Sequence, residues 1–333
     1  IYDLKPETTN SWEVGLQARF LKHFSLDATL YWTKTFNQTF NPDISVSSGY
    51  SALYIQTGNV SNNGLELALG YSNNWGGFGN YTLSSNRNRI NELVRNYVHP
   101  ETGTVINKDR LDVGGLGNAH FILKEGGTLG DLYSLTDVMR DDKGRVYIDK
   151  NGKVYRNNNV GDVKLGSVFP KANMAWRNDF SYKGFNLSVM VSARFGGIVY
   201  SATQAALDLY GVSEASAKAR DKGYVEVNGN DRLNPESWYS TIGGSDGIPQ
   251  FYTYSATNVR LQEASLSYTF KKNLFFGLGD LTLSVTGRNL LMFYCKAPFD
   301  PETTATTGNY YQGIDKFMTP STRNIGFNIK LKF

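Results

Sequence analysis

Most of the usual chemical machinery is missing from this sequence. Its single cysteine, Cys295, allows no internal disulfide and no thiolate metal site. Its three histidines, His23, His99 and His120, are far apart, with no His-x-x-x-His spacing for a metal. Charges nearly balance, with a formal net charge of +4 over 333 residues, too weak a field to argue for nucleic acid. No apolar run reaches the roughly eighteen residues that a transmembrane helix needs. Ile1-Tyr2-Asp3-Leu4 is not the basic-then-apolar start of a secretory signal, so an exported protein would be expected here in mature form or as the downstream piece of something longer. Proline is scarce at 9, against 34 glycines, 21 tyrosines and 19 phenylalanines. That mixture suits many strands joined by tight turns.

What the sequence does contain is alternation. In Asn324 to Phe333, every odd position from Ile325 on is apolar and every even one is Gly or polar. Period two with no break is a strand with one oily face and one wet face. The pattern recurs over Ser11–Phe20, over Phe24–Thr33, in a run ending at Tyr71, and from Phe78 to about Arg89. It returns over Lys171–Tyr182, Phe185–Phe195, Asn258–Phe270 and Leu281–Leu291. Segments of about ten residues are long enough to cross a bilayer as tilted strands. Mean hydropathy is −0.38, as expected when lipid-facing and lumen-facing residues alternate. In Asn258–Phe270 the phase slips between Leu261 and Ala264, and a bulge near Gln262 would repair it.

This makes an all-β chain of about nine transmembrane antiparallel strands. Short turns follow the first, third, fifth and seventh strands, and long loops follow the others. Bacterial barrels place short turns inside and long loops outside. Nine strands with two open edges cannot stand in lipid, where each unpaired backbone group costs several kcal/mol, so the barrel must close with strands outside this chain.

A series of motifs runs along the chain: Leu4-Lys5-Pro6-Glu7, Trp12-Glu13-Val14-Gly15-Leu16 with Arg19-Phe20, and Gly58-Asn59-Val60-Ser61-Asn62-Asn63-Gly64-Leu65-Glu66-Leu67. Phe169-Pro170-Lys171, Tyr182-Lys183-Gly184-Phe185, Arg194-Phe195-Gly196-Gly197, Asn258-Val259-Arg260-Leu261-Gln262-Glu263, Gly287-Arg288-Asn289-Leu290, Pro298-Phe299-Asp300-Pro301-Glu302 and Pro320-Ser321-Thr322-Arg323 follow. In these motifs and their order the chain resembles the C-terminal barrel of SusC/RagA-type TonB-dependent transporters. Ser61-Asn62-Asn63 lacks the usual basic residues. The resemblance implies a barrel of roughly 22 strands around a plug, with residues 1–333 forming its C-terminal half. It implies outer-membrane lipid as the surroundings, in a multi-pass bacterial outer-membrane protein. It also implies a SusD-like surface lipoprotein as a lid and TonB acting through the plug, which lies outside this chain with the remaining strands. The terminal Phe333 would be an assembly signal. The implied function is energised import of an oligosaccharide or peptide. A passive porin-like or structural barrel is the alternative, which this stretch of sequence does not separate from the first. A soluble all-β adhesin is disfavoured by the outward aromatics Trp12, Phe20, Trp32, Tyr71, Phe185 and Phe333.

No catalytic constellation, metal set or cofactor motif emerges. Gly114-Gly115-Leu116-Gly117 has no P-loop lysine and reads as a loop. Asp141-Asp142 and Asp149-x-Asn151-Gly152 hint at a calcium loop but lack the closing glutamate, and Val146–Ile148 with Val154-Tyr155 around Asn151-Gly152 reads as a hairpin. The long stretches 92–170 and 200–254 are polar, the second with an Ala-rich part, Thr203–Arg220, that suits one short helix. Candidate ligand- or partner-binding residues are the loop aromatics Tyr210, Trp238, Tyr239, Phe251, Tyr252, Tyr310 and Tyr311, whose flat rings and polar handles suit sugars or peptides; core packing of the loops is the other reading. Inward Glu13, Arg19, Asp27, Glu66 and Arg194 could touch the plug or line the lumen; simple hydration of a polar interior is the plainer reading for each.

Overall fold

The computed structural model describes residues 6–40, 54–73, 77–98, 105–271, 279–306 and 311–332. Nine antiparallel strands form one continuous wall in sequence order. They are β1 (Thr8–Phe20), β2 (Phe24–Phe40), β3 (Ile55–Ser72), β4 (Gly77–Glu92), β5 (Ala172–Tyr182), β6 (Phe185–Phe195), β7 (Asn258–Phe270), β8 (Asp280–Cys295) and β9 (Asn324–Lys332). Each pairs with its neighbour in the chain, so β1 and β9 are the two edges. The short and long connections alternate as the sequence implies. Phe333 and Tyr310 lie outside the described residues.

The oily face is bare. Trp12 is 77% exposed, Phe327 81% and Ile329 73%, values that only lipid makes tolerable across so wide a patch. Aromatics cluster where short turns meet the wall. Phe20 stacks on Phe24 at 5.5 Å, Phe24 meets Tyr71 at 4.9 Å, and Phe185 meets Tyr268 at 4.5 Å. A second level holds Trp12 directly opposite Trp32, while Tyr81, stacked on Trp176 at 6.1 Å, aligns with Leu69 and Leu26 nearer the short-turn end. Trp12 and Phe20 are eight positions apart. At about 3.3 Å per residue that is roughly 26 Å of strand, or about 20 Å of bilayer height at a tilt of about 40°, most of the ~25 Å apolar band between aromatic girdles.

On the wet face, small residues make room for large ones. A Cβ on Gly64 would strike the ring of Tyr31, and one on Gly58 the ring of Phe40. The wall also carries two irregularities that its motifs explain. Gln262 is the extra residue where the β6–β7 register shifts, which is the bulge the sequence phase requires. Opposite it, Asn289 takes a left-handed backbone (φ 52°) and accepts from Gln262 Nε2 at 3.2 Å. A Cβ at Gly287 would meet the Leu290 side chain, so Gly287-Arg288-Asn289-Leu290 is a bulge with a leucine folded over a glycine.

Several strands outrun their expected ends. The β2 strand continues to Phe40 past a register shift at Asn37 (φ 55°), and β8 runs to Cys295. Both rise above the apolar band, where alternation has no lipid to record.

The long loops depart most from expectation. Residues 92–170 read as a polar stretch, yet Arg110–Leu116, Ala119–Lys124, Asp131–Ser134 and Val163–Ser167 form a four-stranded sheet. The glycine-rich Gly114–Gly117 segment lies largely within its first strand rather than in a loop, with Gly114 (φ 92°) at a register break. The expected hairpin is also different. Its two flanks pair through a third segment: Tyr147 N donates to Met139 O at 2.8 Å, and Met139 N donates to Tyr155 O at 2.8 Å. In the Ala-rich region there are two helices where one was expected, α1 (Ala202–Leu209) and α2 (Glu214–Lys222), and α3 (Pro235–Ile242) follows. Finally, Ile198–Ser201 lies between Thr253–Ser255 and Ile314–Asp315, drawing strands from three chain regions into one sheet.

These loop elements share one hydrophobic core. Phe121, Leu123, Leu132, Ala205 and Ile248 are fully buried, and Tyr200, Leu233 and Tyr252 nearly so. The wall contributes Phe40, Val60, Ile90 and Leu93 from its upper ends.

Candidate functional site

The loop body is seated on the wall by named contacts. Ile90 at the top of β4 exchanges backbone hydrogen bonds with the 126–127 turn, at 2.8 and 2.9 Å. Arg194 Nη2 donates to Val168 O at 2.9 Å. Gly196 and Gly197 both have positive φ, and a side chain on Gly197 would press on the Val168 carbonyl at 3.0 Å. Asn258 and Arg260 are buried at the top of β7. Arg260 makes a two-pronged pair with Asp300 at 2.8 and 3.0 Å and lies 3.4 Å from Glu302. Burial would raise the Asp300 carboxyl, but the Arg260 hydrogen bonds, the Glu302 amide, Ser321 and the Arg260 charge together outweigh it and hold the carboxyl below its usual range. Two of the motifs read in the sequence are thus halves of one ion pair, a partnership that sequence order does not reveal.

Two of the cavities among the described residues adjoin the loop body. One of about 940 Å³ lies under the loop body, over the wet face of the wall. Tyr31, Glu66 and Asn173 line it from the wall, with Thr128, Ser167 and Phe169 from the loops. The other, about 530 Å³, lies among the three helices.

Local sequence builds the helical lobe. Ser201 caps α1 by accepting from Gln204 N, and its hydroxyl donates to Asp315 at 2.6 Å. Ser213 caps α2, which ends at left-handed Gly223 (φ 83°). Asn234 accepts from the amides of Glu236 and Ser237, with Pro235 in the first turn of α3, a standard helix start. Gly244 N donates to Ala205 O at 2.8 Å, so α1 and the end of α3 approach backbone to backbone.

The candidate aromatics then separate by position. Tyr210 is 77% exposed at the end of α1 and lines the helical cavity with Tyr239. Trp238 and Tyr252 are buried, and Trp238 packs edge-on against half-exposed Phe251 at 5.2 Å. Tyr311, with φ 69°, lies edge-on to Phe121 at 6.2 Å. The structure therefore brings Tyr210, Trp238, Tyr239, Phe251 and Tyr252 into one lobe and leaves Tyr311 at another contact. Among the inward wall residues, Asp27 accepts from Gln17 at 2.8 Å and Glu66 lines the larger cavity.

Sequence reasoning passed over Asp208, Arg220 and Glu236. Asp208 is 4% exposed and accepts from Gln204 at 3.0 Å. The Tyr252 hydroxyl is buried with no hydrogen bond of good geometry. Burial, and then the Asp208 charge, push its phenol far above the usual range. The Asn234-Pro235-Glu236 start signal was the readable clue to this lobe.

No group of three or more potential metal ligands occurs among the described residues. Asp141 and Asp149, the calcium hint, sit in matching turns. Asp141 Oδ1 accepts from Lys143 N and Arg145 N, and Asp149 Oδ1 from Asn151 N and Lys153 N. Their second oxygens take Arg145 Nε and the Tyr155 hydroxyl. Both carboxylates are occupied as turn staples.

A membrane-facing wall with a wet inner face and a cored cap of loops defines part of an outer-membrane barrel. The TonB-dependent receptor-like β-barrel model matches residues 2–290, and the chain belongs to that family. TonB-dependent receptors P26 and P3 of Formosa agariphila are 26% and 25% identical over 98% and 99% of this chain. The chain spans about a third of their length, 34% in each case. Its fold is that of the RagAB peptide importer in the open-open state, with a TM-score of 0.67 at 18% identity, covering 99% of this chain and 35% of that one. The closed-closed state gives 0.66 over 98% of this chain.

Proposed function

We propose that this chain is the wall and extracellular cap of an outer-membrane importer that takes up a nutrient too large for passive pores, with energy delivered by TonB through a plug outside this stretch. A SusD-like surface lipoprotein seated on the loop body would complete the chamber. The observation that carries the reading is the loop body itself. A passive pore needs an open mouth; here the loops bury a common core and roof a cavity of about 940 Å³ on the wet face of the wall. No covalent step is required. Binding, enclosure and release do the work, and the protein is read as a transporter rather than an enzyme.

The test is uptake by cells carrying the full-length protein. Collapsing the proton gradient should stop uptake, and replacing residues 201–254 by a short Gly-Ser link should stop it while the barrel stays heat-resistant on a gel. Uptake that survives both treatments makes the barrel a passive pore.

A further inference from the structure

We infer that His120 is a proton-operated clasp between the two halves of the loop body: its charged ring holds the loop sheet against the helical lobe, and loss of the proton loosens that hold. The inference stands apart from the import reading. His120 lies on the Ala119–Lys124 strand with a partly buried ring. Its Nδ1 is 3.0 Å from both carboxylate oxygens of Asp112, and its Nε2 is 2.9 Å from Gly117 O. Both partners are acceptors. A neutral imidazole has one N–H and one lone pair and satisfies only one of them; the imidazolium donates to both. Asp112 is the stronger acceptor. The proton lost is therefore the one facing Gly117, which sets a lone pair against a carbonyl oxygen.

Gly117 is where the clasp reaches the helices. It has φ 59°, and a Cβ on it would overlap the Ser245 carbonyl, so the two turns meet backbone to backbone. Beside it, Asn118 N donates to Ser245 O at 3.0 Å. Asn118 Nδ2 donates to the carbonyls of Asp246 and Gly247 at 2.8 and 2.9 Å. The 245–247 turn follows α3, and Gly247 N closes it on Gly244 O at 3.1 Å. Freeing Gly117 O from His120 loosens the turn by which the sheet grips the end of α3.

The neighbouring charges leave the switching to the imidazole. Burial would raise the Asp112 carboxyl, but the His120 hydrogen bond, the Gly114 amide and the charges of His120 and Arg110 together hold it below its usual range, so it stays an anion around neutral pH. Arg110 Nη2 lies 3.6 Å from it on the same strand. Tyr133 is paired directly across from His120 on the next strand. Burial, and then the charges of Asp131 and Asp162, push its phenol up, so it stays neutral. Lys124 and Lys164 stand over its ring at 5.0 and 5.9 Å. From the helical side, Asp246 offers its carbonyl, which Arg156 also binds. The charged ring is the better-held form. The clasp is therefore complete below the ordinary histidine value of about 6.5 and is lost as the pH rises and the ring discharges.

The test is amide exchange in the detergent-solubilised full-length protein at about pH 5.5 and about pH 8.5, on either side of that value, with each rate corrected for the intrinsic effect of pH. Segments 113–121 and 243–250 should exchange about tenfold faster in the alkaline sample, the worth of one charge-assisted hydrogen bond, while β6 in the wall does not change. His120→Gln should exchange at the fast rate at both pH values. Asp112→Asn should keep the step but move it to lower pH, because the imidazolium loses its anionic partner. A wild type without the step, a step that survives in His120→Gln, or one unmoved in Asp112→Asn overturns the inference. If His120→Gln fails to fold, the ring-carbon signals of isotope-labelled histidines in the wild type decide. A His120 titration coincident with the exchange step supports the clasp, and one displaced from it overturns the clasp.

Discussion

The wall and the loop body solve opposite problems with one chain. On the wall's oily face Trp12, Phe327 and Ile329 stand bare, so the wall owes its order to backbone ladders and to a solvent of lipid. The loop body buries Phe121, Leu132 and Ile248 completely and holds together as a water-soluble domain does. A substitution should therefore have opposite consequences in the two regions.

The largest effect is expected in the loop core. Phe121→Ala should cost about 3–5 kcal/mol locally, the usual range for truncating a buried phenylalanine. Limited proteolysis should then cut within 105–170 while the barrel keeps its heat-modified gel mobility; loss of both together would show that wall and loops fold as one unit. Next comes Leu67→Arg on the oily face, at about 2–4 kcal/mol near the bilayer midplane, whereas neighbouring Glu66→Gln should cost little. Folding titrations into lipid compare the two, and equal costs would mean that the faces are reversed. Gly64→Val should cost about 1–3 kcal/mol by overpacking, because its side chain meets the Tyr31 ring, and Tyr31→Ala in the same protein should restore most of that loss.

The smallest effect depends on pH. Asp162 is held at about 2, chiefly by hydrogen bonds from Arg110 at 2.6 and 2.8 Å, with Lys124 adding a second partner. A carboxyl lowered on folding stabilises the folded state above its unfolded value of 3.8, and that stability is lost as pH falls toward about 2. Amide exchange in the loop sheet should rise across this window and the acid step should shrink in Asp162→Asn. Exchange in the wall should stay level.

The same contrast explains what could be read from the sequence. The wall was legible because lipid imposes period two over many residues: Phe185–Phe195 has the ends that alternation gave it, and the phase slip at Gln262 is a real bulge. Loop strands are two to seven residues long, too short for a period to register. Phe121-Ile122-Leu123, buried on all sides, and Ile198-Val199-Tyr200, with Val199 and Tyr200 buried, are apolar runs there of the kind a covered strand leaves. In the site, Tyr210 and Tyr239 were visible as aromatics in a loop. Asp208 was not, because only the packing of α1 against α3 and Tyr252 gives its carboxylate meaning. The Arg260–Asp300 pair joins residues 40 positions apart, and nothing local connects them.

The small sheet of Ile198–Ser201, Thr253–Ser255 and Ile314–Asp315 bears on the timing of assembly. Its parallel pairing joins Tyr200 to Ile314, and Ser201 donates to Asp315 across 114 positions. Contacts so distant in the chain close late, because the entropy of the intervening loop must be lost first. The cap is thus expected to remain unlatched until the last hairpin, β8 to β9, has reached the outer surface, so that completion of the wall and closure of the cap become a single kinetic event.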